Sequence, residues 1–241
     1  MDDLIRDLSV GRVPDRGAER VPDKVAVVDG DRRTTYRELR DMVDAMAAAL
    51  SDFGFAKGDR VAMYMKNSLE FEVLFYALQK LGLVVAWVNP NYRRTEAGFI
   101  LGNSGARAIA VFQEWEGYDY LEAVMAMRSE LPELERIIVV GDGEGQGVHR
   151  YEDLLAHGTG RTPPAPHIDT RKDLSMLIYT SGTTGKPKGA MITQYQVLGA
   201  AREYARGLQA SSEDIFIGFL PMSHSYGAGA ILVQPLLAQS A

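Results

Sequence analysis

Cysteine is absent from the 241 residues of the sequence. Its absence excludes disulfide bonds, thiolate nucleophiles, zinc fingers and cysteine-ligated iron–sulfur clusters. Long apolar runs are absent too: the longest, residues 81–88, is interrupted by Gly82 and is far shorter than the roughly 20 residues of a membrane-spanning helix. The charged start of the chain has no stretch of signal-peptide character. We therefore predict a cytoplasmic protein without a membrane span.

Basic residues are fewer than acidic residues. The sequence has 26 Lys and Arg against 32 Asp and Glu, a formal net charge of −6, and no long basic run. Binding to nucleic acid by counterion release needs a basic face with many phosphate contacts, so we expect no nucleic-acid partner. His149, His157 and His167 have no metal-ligand spacing, and we predict no metal site within this chain. Hydrophobic residues at 46% and charged residues at 24% are ordinary for a globular protein.

The spacing of apolar residues alternates between helix and strand periods. Within residues 36–53, apolar side chains recur at steps of four and three (Leu39, Val43, Met46, Leu50), which predicts an amphipathic helix. Similar patterns predict helices over residues 69–81, 95–103, 118–130, 151–156 and 194–208, and strands over 59–65, 83–89, 107–112, 136–141, 174–179, 190–193 and 214–220. Apolar strands separated by helices are typical of a parallel sheet covered on both faces. We predict an α/β fold that is doubly wound, with mostly parallel sheets and helices on both faces.

Glycine and proline concentrate in two connecting segments. Residues 141–147 read GDGEGQG, and residues 162–166 are rich in proline, with one short predicted helix between the segments. We predict the main internal boundary here. Residues 1–160 would form a first α/β subdomain, and residues 161–241 would begin a second one.

A loop rich in glycine and hydroxyl groups follows the predicted strand at residues 174–179. Residues 180–189 read TSGTTGKPKG. Glycines let backbone N–H groups approach phosphate oxygens, hydroxyls add donors and lysines compensate negative charge, so the loop is typical of a polyphosphate site. It is not a Walker A loop, because Thr180 stands where that motif needs glycine and Pro187 where it needs Ser or Thr. It is not a hydrolase elbow either, because Tyr179 stands two residues before Ser181.

The segment YTSGTTGKPKGA at residues 179–190 resembles the phosphate-loop signature of the adenylate-forming superfamily. That family includes acyl-CoA synthetases, firefly luciferase and the adenylation domains of peptide synthetases. Residues 218–227, GFLPMSHSYG, are similar to the family's later aromatic and histidine motif. Residues 35–50 and 82–101 also look like the beginning of these enzymes. The resemblance runs from about Val25 to the end of the chain.

The resemblance implies two-step chemistry. A carboxylate attacks the α-phosphate of ATP to give an acyl-adenylate and pyrophosphate, and the thiol of CoA then displaces AMP. It implies that the β- and γ-phosphates are bound by Thr180, Ser181, Gly182, Thr183, Thr184, Gly185 and Lys188. His224 would lie beside the carboxylate and the adenylate and would act in catalysis together with Thr184 and Lys188. Tyr226 would line the acyl pocket.

Several motifs of the family are not found in these 241 residues. The missing motifs are the acidic ligand of Mg²⁺, the aspartate that binds ribose, the hinge, and a mobile C-terminal lid domain with a catalytic lysine. We therefore expect the N-terminal part of an ATP-dependent carboxylate–CoA ligase for a fatty or aromatic acid. We expect this part to be inactive alone, and to form a homodimer or to associate with the missing C-terminal portion through apolar surface.

Two other functions stay open. A noncatalytic scaffold or interaction module would keep the fold without turnover, and adding the missing half would then restore no release of pyrophosphate. An unrelated phosphotransfer enzyme would use the loop as a kinase does and would produce ADP. The departure from the Walker A pattern argues against this second alternative.

Overall fold

A mixed sheet of seven strands organises the chain. The structure is a computed structural model that describes residue 5, residues 8–180 and residues 187–241. The strands are, in chain order, β1 (Val25–Asp29), β2 (Arg32–Thr35), β3 (Arg60–Tyr64), β4 (Val84–Trp87), β5 (Ala108–Phe112), β6 (Glu114–Trp115), β7 (Tyr118–Asp119), β8 (Arg136–Val140), β9 (Val148–Arg150), β10 (Leu174–Thr180) and β11 (Lys188–Thr193). The order across the large sheet is β11-β10-β4-β3-β5-β8-β9. Its neighbouring strands are parallel except β10 and β11, which are antiparallel.

Helices cover both faces of this sheet. The helices of the described residues are, in chain order, α1 (Val13–Arg20), α2 (Tyr36–Ser51), α3 (Leu69–Lys80), α4 (Arg94–Ser104), α5 (Tyr120–Met127), α6 (Tyr151–Gly158), α7 (Gln194–Gly207), α8 (Ser225–Gly227) and α9 (Gln234–Ala238). Side chains alternate along β3, as the strand period requires. Val61 and Met63 belong to a core shared with α2, α3 and α7. Ala62 and Tyr64 belong to a second core shared with α4 and α5. The predicted α/β fold class is confirmed.

Reciprocal hydrogen bonds fix the starts of α2 and α7. The Thr35 hydroxyl accepts from the backbone N–H of Glu38 at 3.3 Å, and the Glu38 carboxylate accepts from the Thr35 N–H at 2.8 Å. Thr193 and Gln196 repeat the arrangement at α7, with distances of 3.3 and 2.8 Å. Such capping boxes satisfy N–H groups that have no partner within the helix. The helices predicted to begin at residues 36 and 194 do begin there.

The remaining predicted elements agree with the structure within about two residues at their ends, apart from two. The helix predicted over residues 118–130 begins at Tyr120, because residues 118–119 form β7 of a small hairpin, and its last three residues are a 3₁₀ turn. The apolar pattern did not predict α1, the β1–β2 hairpin or β9, which are all short elements.

The strand predicted over residues 214–220 is wrong. This segment has no regular secondary structure, and no strand of the described residues pairs with it. Its backbone is bonded in other ways: the Ala241 backbone bonds to the segment's start, and an asparagine side chain bonds to its end. Ile215, Ile217 and Phe219 are 78%, 76% and 77% exposed. After a turn at residues 222–223 the chain is helical from α8 onward, with a π-helical stretch at Ala228–Val233 between α8 and α9.

The predicted boundary near residue 160 falls between elements of one sheet. β10 follows the boundary in sequence and lies beside β4, which precedes it, with Met176 opposite Val85. The division into residues 1–160 and 161–241 stays a prediction. None of the helices in the described part of the chain has the length and apolarity needed to cross a bilayer. The cytoplasmic location also stays a prediction.

Candidate functional site

The β10–β11 hairpin carries the loop that the sequence predicts to bind phosphate. Thr180, the last residue of β10, is paired directly with Lys188, the first residue of β11, and both side chains are exposed. The two ends of the loop therefore meet at one point, at the carboxyl end of β10. Of the other predicted phosphate-binding residues, Ser181, Gly182, Thr183, Thr184 and Gly185 lie outside the described residues. Their role stays a prediction.

A cavity of about 320 Å³ opens beside this hairpin. It lies between the carboxyl ends of β4 and β10, which run parallel side by side, and the turn that precedes α8. Its lining residues are Trp87, Asn89, Tyr92, Ile178, Tyr179, Leu220, Pro221, Ser223, His224, Tyr226 and Gly227. The structure thus brings the two predicted substrate-binding residues, His224 and Tyr226, into one cavity next to Thr180. Thr180 and Lys188 do not line it.

The His224 imidazole is fixed by its own backbone neighbours. His224 is the N-cap of α8, and its Nδ1 accepts a hydrogen bond from the Tyr226 N–H at 3.3 Å. Its backbone N–H donates to the Pro221 carbonyl at 3.1 Å, and its carbonyl accepts from the Ala228 N–H at 2.9 Å. Because Nδ1 accepts, the neutral ring carries its proton on Nε2. His224 can therefore donate a hydrogen bond from Nε2 to an oxygen of a bound ligand.

Gly227 permits the tight turn that presents His224. A Cβ atom at this position would lie 2.0 Å from the Pro221 carbonyl oxygen and 2.9 Å from the Met222 Cα. The φ of Gly227 is −59°, an ordinary helical value, so the requirement is space and not backbone freedom. The start of α8 therefore packs directly on the preceding turn, and only a residue without a side chain allows that approach.

Aromatic rings surround the cavity. Tyr226 is 43% exposed, and its ring meets that of Tyr204 on α7 edge-to-face at 5.3 Å. On the opposite wall, the Trp87 ring is buried and stacks on Phe71 at 5.2 Å, while its Nε1 donates to the Met176 sulfur at 3.1 Å. These contacts fix the Trp87 ring as an apolar, rigid part of the wall.

Sequence reasoning did not name Trp87, Asn89, Tyr92 or Tyr179 as site residues. All four lie at or just after the carboxyl end of β4 or near the end of β10. Ligands of open α/β sheets bind at such strand ends, and that rule was the available signal. The Tyr179 hydroxyl donates to the Asn103 side-chain oxygen at 2.9 Å, and burial raises the pKa of Tyr179.

The described residues do not supply a metal site. Within residues 8–180 and 187–241, no group of three or more His, Asp or Glu side chains is arranged to bind a metal ion. The Mg²⁺ that the family resemblance implies therefore has no ligand set in the described part of this chain.

The strand-end cavity beside the β10–β11 hairpin defines an α/β domain with a candidate ligand-binding site at the carboxyl ends of its strands. The chain belongs to the AMP-binding enzyme family, whose sequence pattern matches residues 14–240.

Individual relatives carry more specific names. The medium/long-chain-fatty-acid–CoA/3-oxocholest-4-en-26-oate–CoA ligase of Mycobacterium tuberculosis is 32% identical over 206 residues, covering 83% of this chain and 36% of the ligase. Triostin synthetase I of Streptomyces triostinicus is 31% identical over 202 residues, covering 84% of this chain and 36% of the synthetase. The crystal structure of the anthranilate CoA ligase AuaEII in complex with anthranoyl-AMP matches with a TM-score of 0.86 at 25% identity, over 97% of this chain and 44% of that ligase. The chain spans less than half the length of the curated relatives that it matches.

Proposed function

We propose that this chain is the N-terminal part of an ATP-dependent carboxylate–CoA ligase. In the first step a carboxylate oxygen of the acid attacks the α-phosphorus of ATP, and pyrophosphate leaves. In the second step the thiolate of CoA attacks the acyl carbon, and AMP leaves. The observation that carries the proposal is the cavity with His224 and Tyr226, which lies at the end of the strand that leads into the glycine- and hydroxyl-rich loop. Membership of the AMP-binding enzyme family supports it.

The loop at residues 180–189 would bind the β- and γ-phosphates. Backbone N–H groups and the hydroxyls of Thr183 and Thr184 would donate to phosphate oxygens, and Lys188 would compensate their charge. Donors already directed at the leaving group stabilise the negative charge that develops as pyrophosphate departs. The direct pairing of Thr180 with Lys188 supports this role, because it fixes both ends of the loop beside the cavity.

His224 would act on the acid. Its Nε2–H would donate to an oxygen of the carboxylate or of the α-phosphate and would keep the two reacting groups in contact. Trp87, Ile178 and Leu220 present apolar surface to the same cavity, together with the ring of Tyr226. A volume of about 320 Å³ lies near the lower end of pockets for small ligands. These features support a fatty or aromatic acid as substrate.

The exposed side chains of Ile215, Ile217 and Phe219 support a further part of the proposal, which concerns association. Three large apolar residues in a row on one side of an extended segment form an apolar patch of the kind found at protein contacts. We propose that the segment is covered by a second copy of the chain or by a C-terminal portion of the ligase. Sedimentation at increasing concentration tests whether a second copy covers the segment, and a monodisperse monomer at high concentration would contradict that form of association.

ATP–pyrophosphate exchange tests the reaction. The protein is assayed as the organism makes it, with a panel of fatty and aromatic acids. We expect exchange that depends on the acid and that falls by about a hundredfold in Thr184→Ala, Lys188→Ala and His224→Ala, the usual cost of removing one stabilising donor. Lys172→Ala is the matched control for Lys188, because Lys172 is a largely exposed lysine that forms an ion pair with Asp169 at 3.2 Å and lies two residues before β10, at the end of the strand away from the loop.

The alternatives give different results. A noncatalytic module would show no exchange with any acid, and a kinase-like enzyme would release ADP instead of AMP. Exchange that survives in all three site variants would also contradict the proposed roles, because the acid would then be activated without the loop and the histidine.

A further inference from the structure

The side chain of Asn67 binds the backbone of the segment that leads to His224. Asn67 follows β3 and immediately precedes Ser68, the N-cap of α3. Its Nδ2 donates to the carbonyls of Gly218 at 2.9 Å and Leu220 at 2.7 Å. Its Oδ1 accepts from the Met222 N–H at 2.9 Å. One amide therefore satisfies three backbone groups of a segment more than 150 residues away.

These three groups belong to alternate residues, 218, 220 and 222, of a segment without regular secondary structure. In a β-strand the N–H and C=O groups of residues i, i+2 and i+4 point to the same edge, where a neighbouring strand would normally bond to them. The same edge begins with Asp214 and Phe216, which bond to the backbone of Ala241 at 3.2 and 2.8 Å. The Asn67 side chain thus takes the place of a strand along the second half of the edge, directly before His224.

A second cavity lies behind this segment. It has a volume of about 210 Å³, and Asn67, Glu72, Gly218 and Met222 are among its lining residues. Leu220, Pro221, Ser223 and His224 line the first cavity instead. The segment therefore separates two open spaces and has room to shift once its bonds to Asn67 are lost.

We propose that Asn67 is a positioning residue for His224. By fixing the backbone from Gly218 to Met222, it sets the start of the turn at Pro221 that presents the imidazole to the cavity. It touches neither the acid nor the nucleotide. The expected effect on catalysis rests on the proposed ligase function, whereas the expected effect on the backbone of residues 218–222 does not.

Two substitutions test the proposal kinetically. Asn67→Asp keeps the acceptor for Met222 but turns a carboxylate oxygen toward the carbonyls of Gly218 and Leu220, while Asn67→Ala removes all three bonds. We expect kcat of acid-dependent ATP–pyrophosphate exchange to fall about tenfold or more in both, because small misplacements of a reacting group are costly. KM for ATP should change less than about threefold, since the loop at residues 180–189 is anchored by the β10–β11 ladder.

Gln79→Ala is the matched control. The Gln79 amide is fully buried and also makes three bonds, to the Leu83 carbonyl at 3.4 Å, the Ser175 carbonyl at 3.0 Å and the Ser175 hydroxyl at 2.6 Å. It lies away from the cavity, so its loss should lower the melting temperature without the fall in kcat. If Gln79→Ala and the Asn67 variants lose stability and kcat in the same proportion, Asn67 is only structural and the proposal is overturned.

Backbone hydrogen exchange tests the structural effect of Asn67 without a measurement of enzyme activity. In Asn67→Ala, we expect deuterium uptake by residues 216–226 to accelerate about tenfold, while β3 and β4 keep the parent rate. Unchanged uptake in residues 216–226 would overturn the proposal. If the parent protein shows no exchange of pyrophosphate with any acid, the ligase function fails, and this measurement still decides whether Asn67 positions the segment.

Discussion

Glu72 should make the stability of the protein fall as the pH rises. Its side chain is 7% exposed within α3, and burial, with a smaller contribution from the charge of Asp29, raises its pKa from 4.5 to about 8. Burial raises the pKa of Tyr36 and Tyr76, and charge on the Glu72 carboxyl would raise the pKa of both tyrosines further. At neutral pH the carboxyl is therefore mainly protonated in the folded protein and ionised in the unfolded chain.

The size and sign of the effect follow from these values. Between pH 4.5 and about pH 8 the folded state binds more protons than the unfolded state, so the free energy of unfolding falls as the pH rises. At about 1.4 kcal/mol per pH unit, the shift from 4.5 to about 8 corresponds to about 5 kcal/mol. This contribution is fully present below pH 4.5 and is lost above about pH 8.

Glu72→Gln keeps the shape of the side chain and removes its ionisation. We expect the variant to match the parent near about pH 4.5 and to be more stable by an amount on the order of 5 kcal/mol above about pH 8. Urea unfolding in steps from about pH 5 to about pH 9 measures the difference. Glu38→Gln is the control, because hydrogen bonds from Thr35 lower the pKa of this exposed carboxyl to below that range. If the curves of Glu72→Gln and the parent run parallel across the range, the reasoning is wrong.

Three further substitutions test the local structure. Gly227→Ala places a methyl group 2.0 Å from the Pro221 carbonyl oxygen, so we expect the free energy of unfolding in urea to fall by about 1–3 kcal/mol and ATP–pyrophosphate exchange to slow. Gly199→Ala is the control, because an added Cβ there meets nothing within 4 Å, and we expect neither stability nor exchange rate to fall below the parent values. Thr35→Ala removes the capping box of α2 and should cost about 1 kcal/mol in the same unfolding measurement; an unchanged midpoint would contradict that role. Ile217→Lys replaces a residue that is 76% exposed, so it should reduce self-association in sedimentation without lowering the melting temperature, and equal association of variant and parent would show that this patch is not the contact.

The fold class was predictable from sequence because the central elements show clear periods. β3 and β5 are buried on both faces and read as apolar runs, and α2 has a buried stripe at helical spacing with a capping box at its start. In these elements local preference and tertiary packing agree. The order of strands across the sheet was not predictable, since it depends on contacts between residues that are distant in sequence.

Residues 214–220 show where the pattern misleads. Their nearly continuous run of β-branched and aromatic residues is typical of a buried strand, yet here the side chains of Ile215, Ile217 and Phe219 are exposed. A strand requires a partner, and the sequence of one segment does not say whether that partner is present. In this structure a single side chain, Asn67, supplies part of the bonding that a strand would provide.

Only part of the candidate site was predictable, because a local sequence pattern does not show which distant residues lie beside it. Two neighbouring residues of one motif, His224 and Tyr226, do lie in one cavity. The opposite wall comes from Trp87 and Tyr92, more than 100 residues earlier, and no local pattern links them to the motif. Their position at the end of a parallel strand was the only physical indication.

The central claim is that a carboxylate attacks the α-phosphorus of ATP at this site, and an isotope measurement tests it most directly. The protein is incubated with ATP, CoA and an acid whose carboxylate carries ¹⁸O, and the products are analysed by mass spectrometry. Displacement of AMP from an acyl-adenylate leaves one ¹⁸O atom on the phosphate of AMP, which is the result we predict. Label in inorganic phosphate together with ADP, or no label in AMP, would contradict the claim.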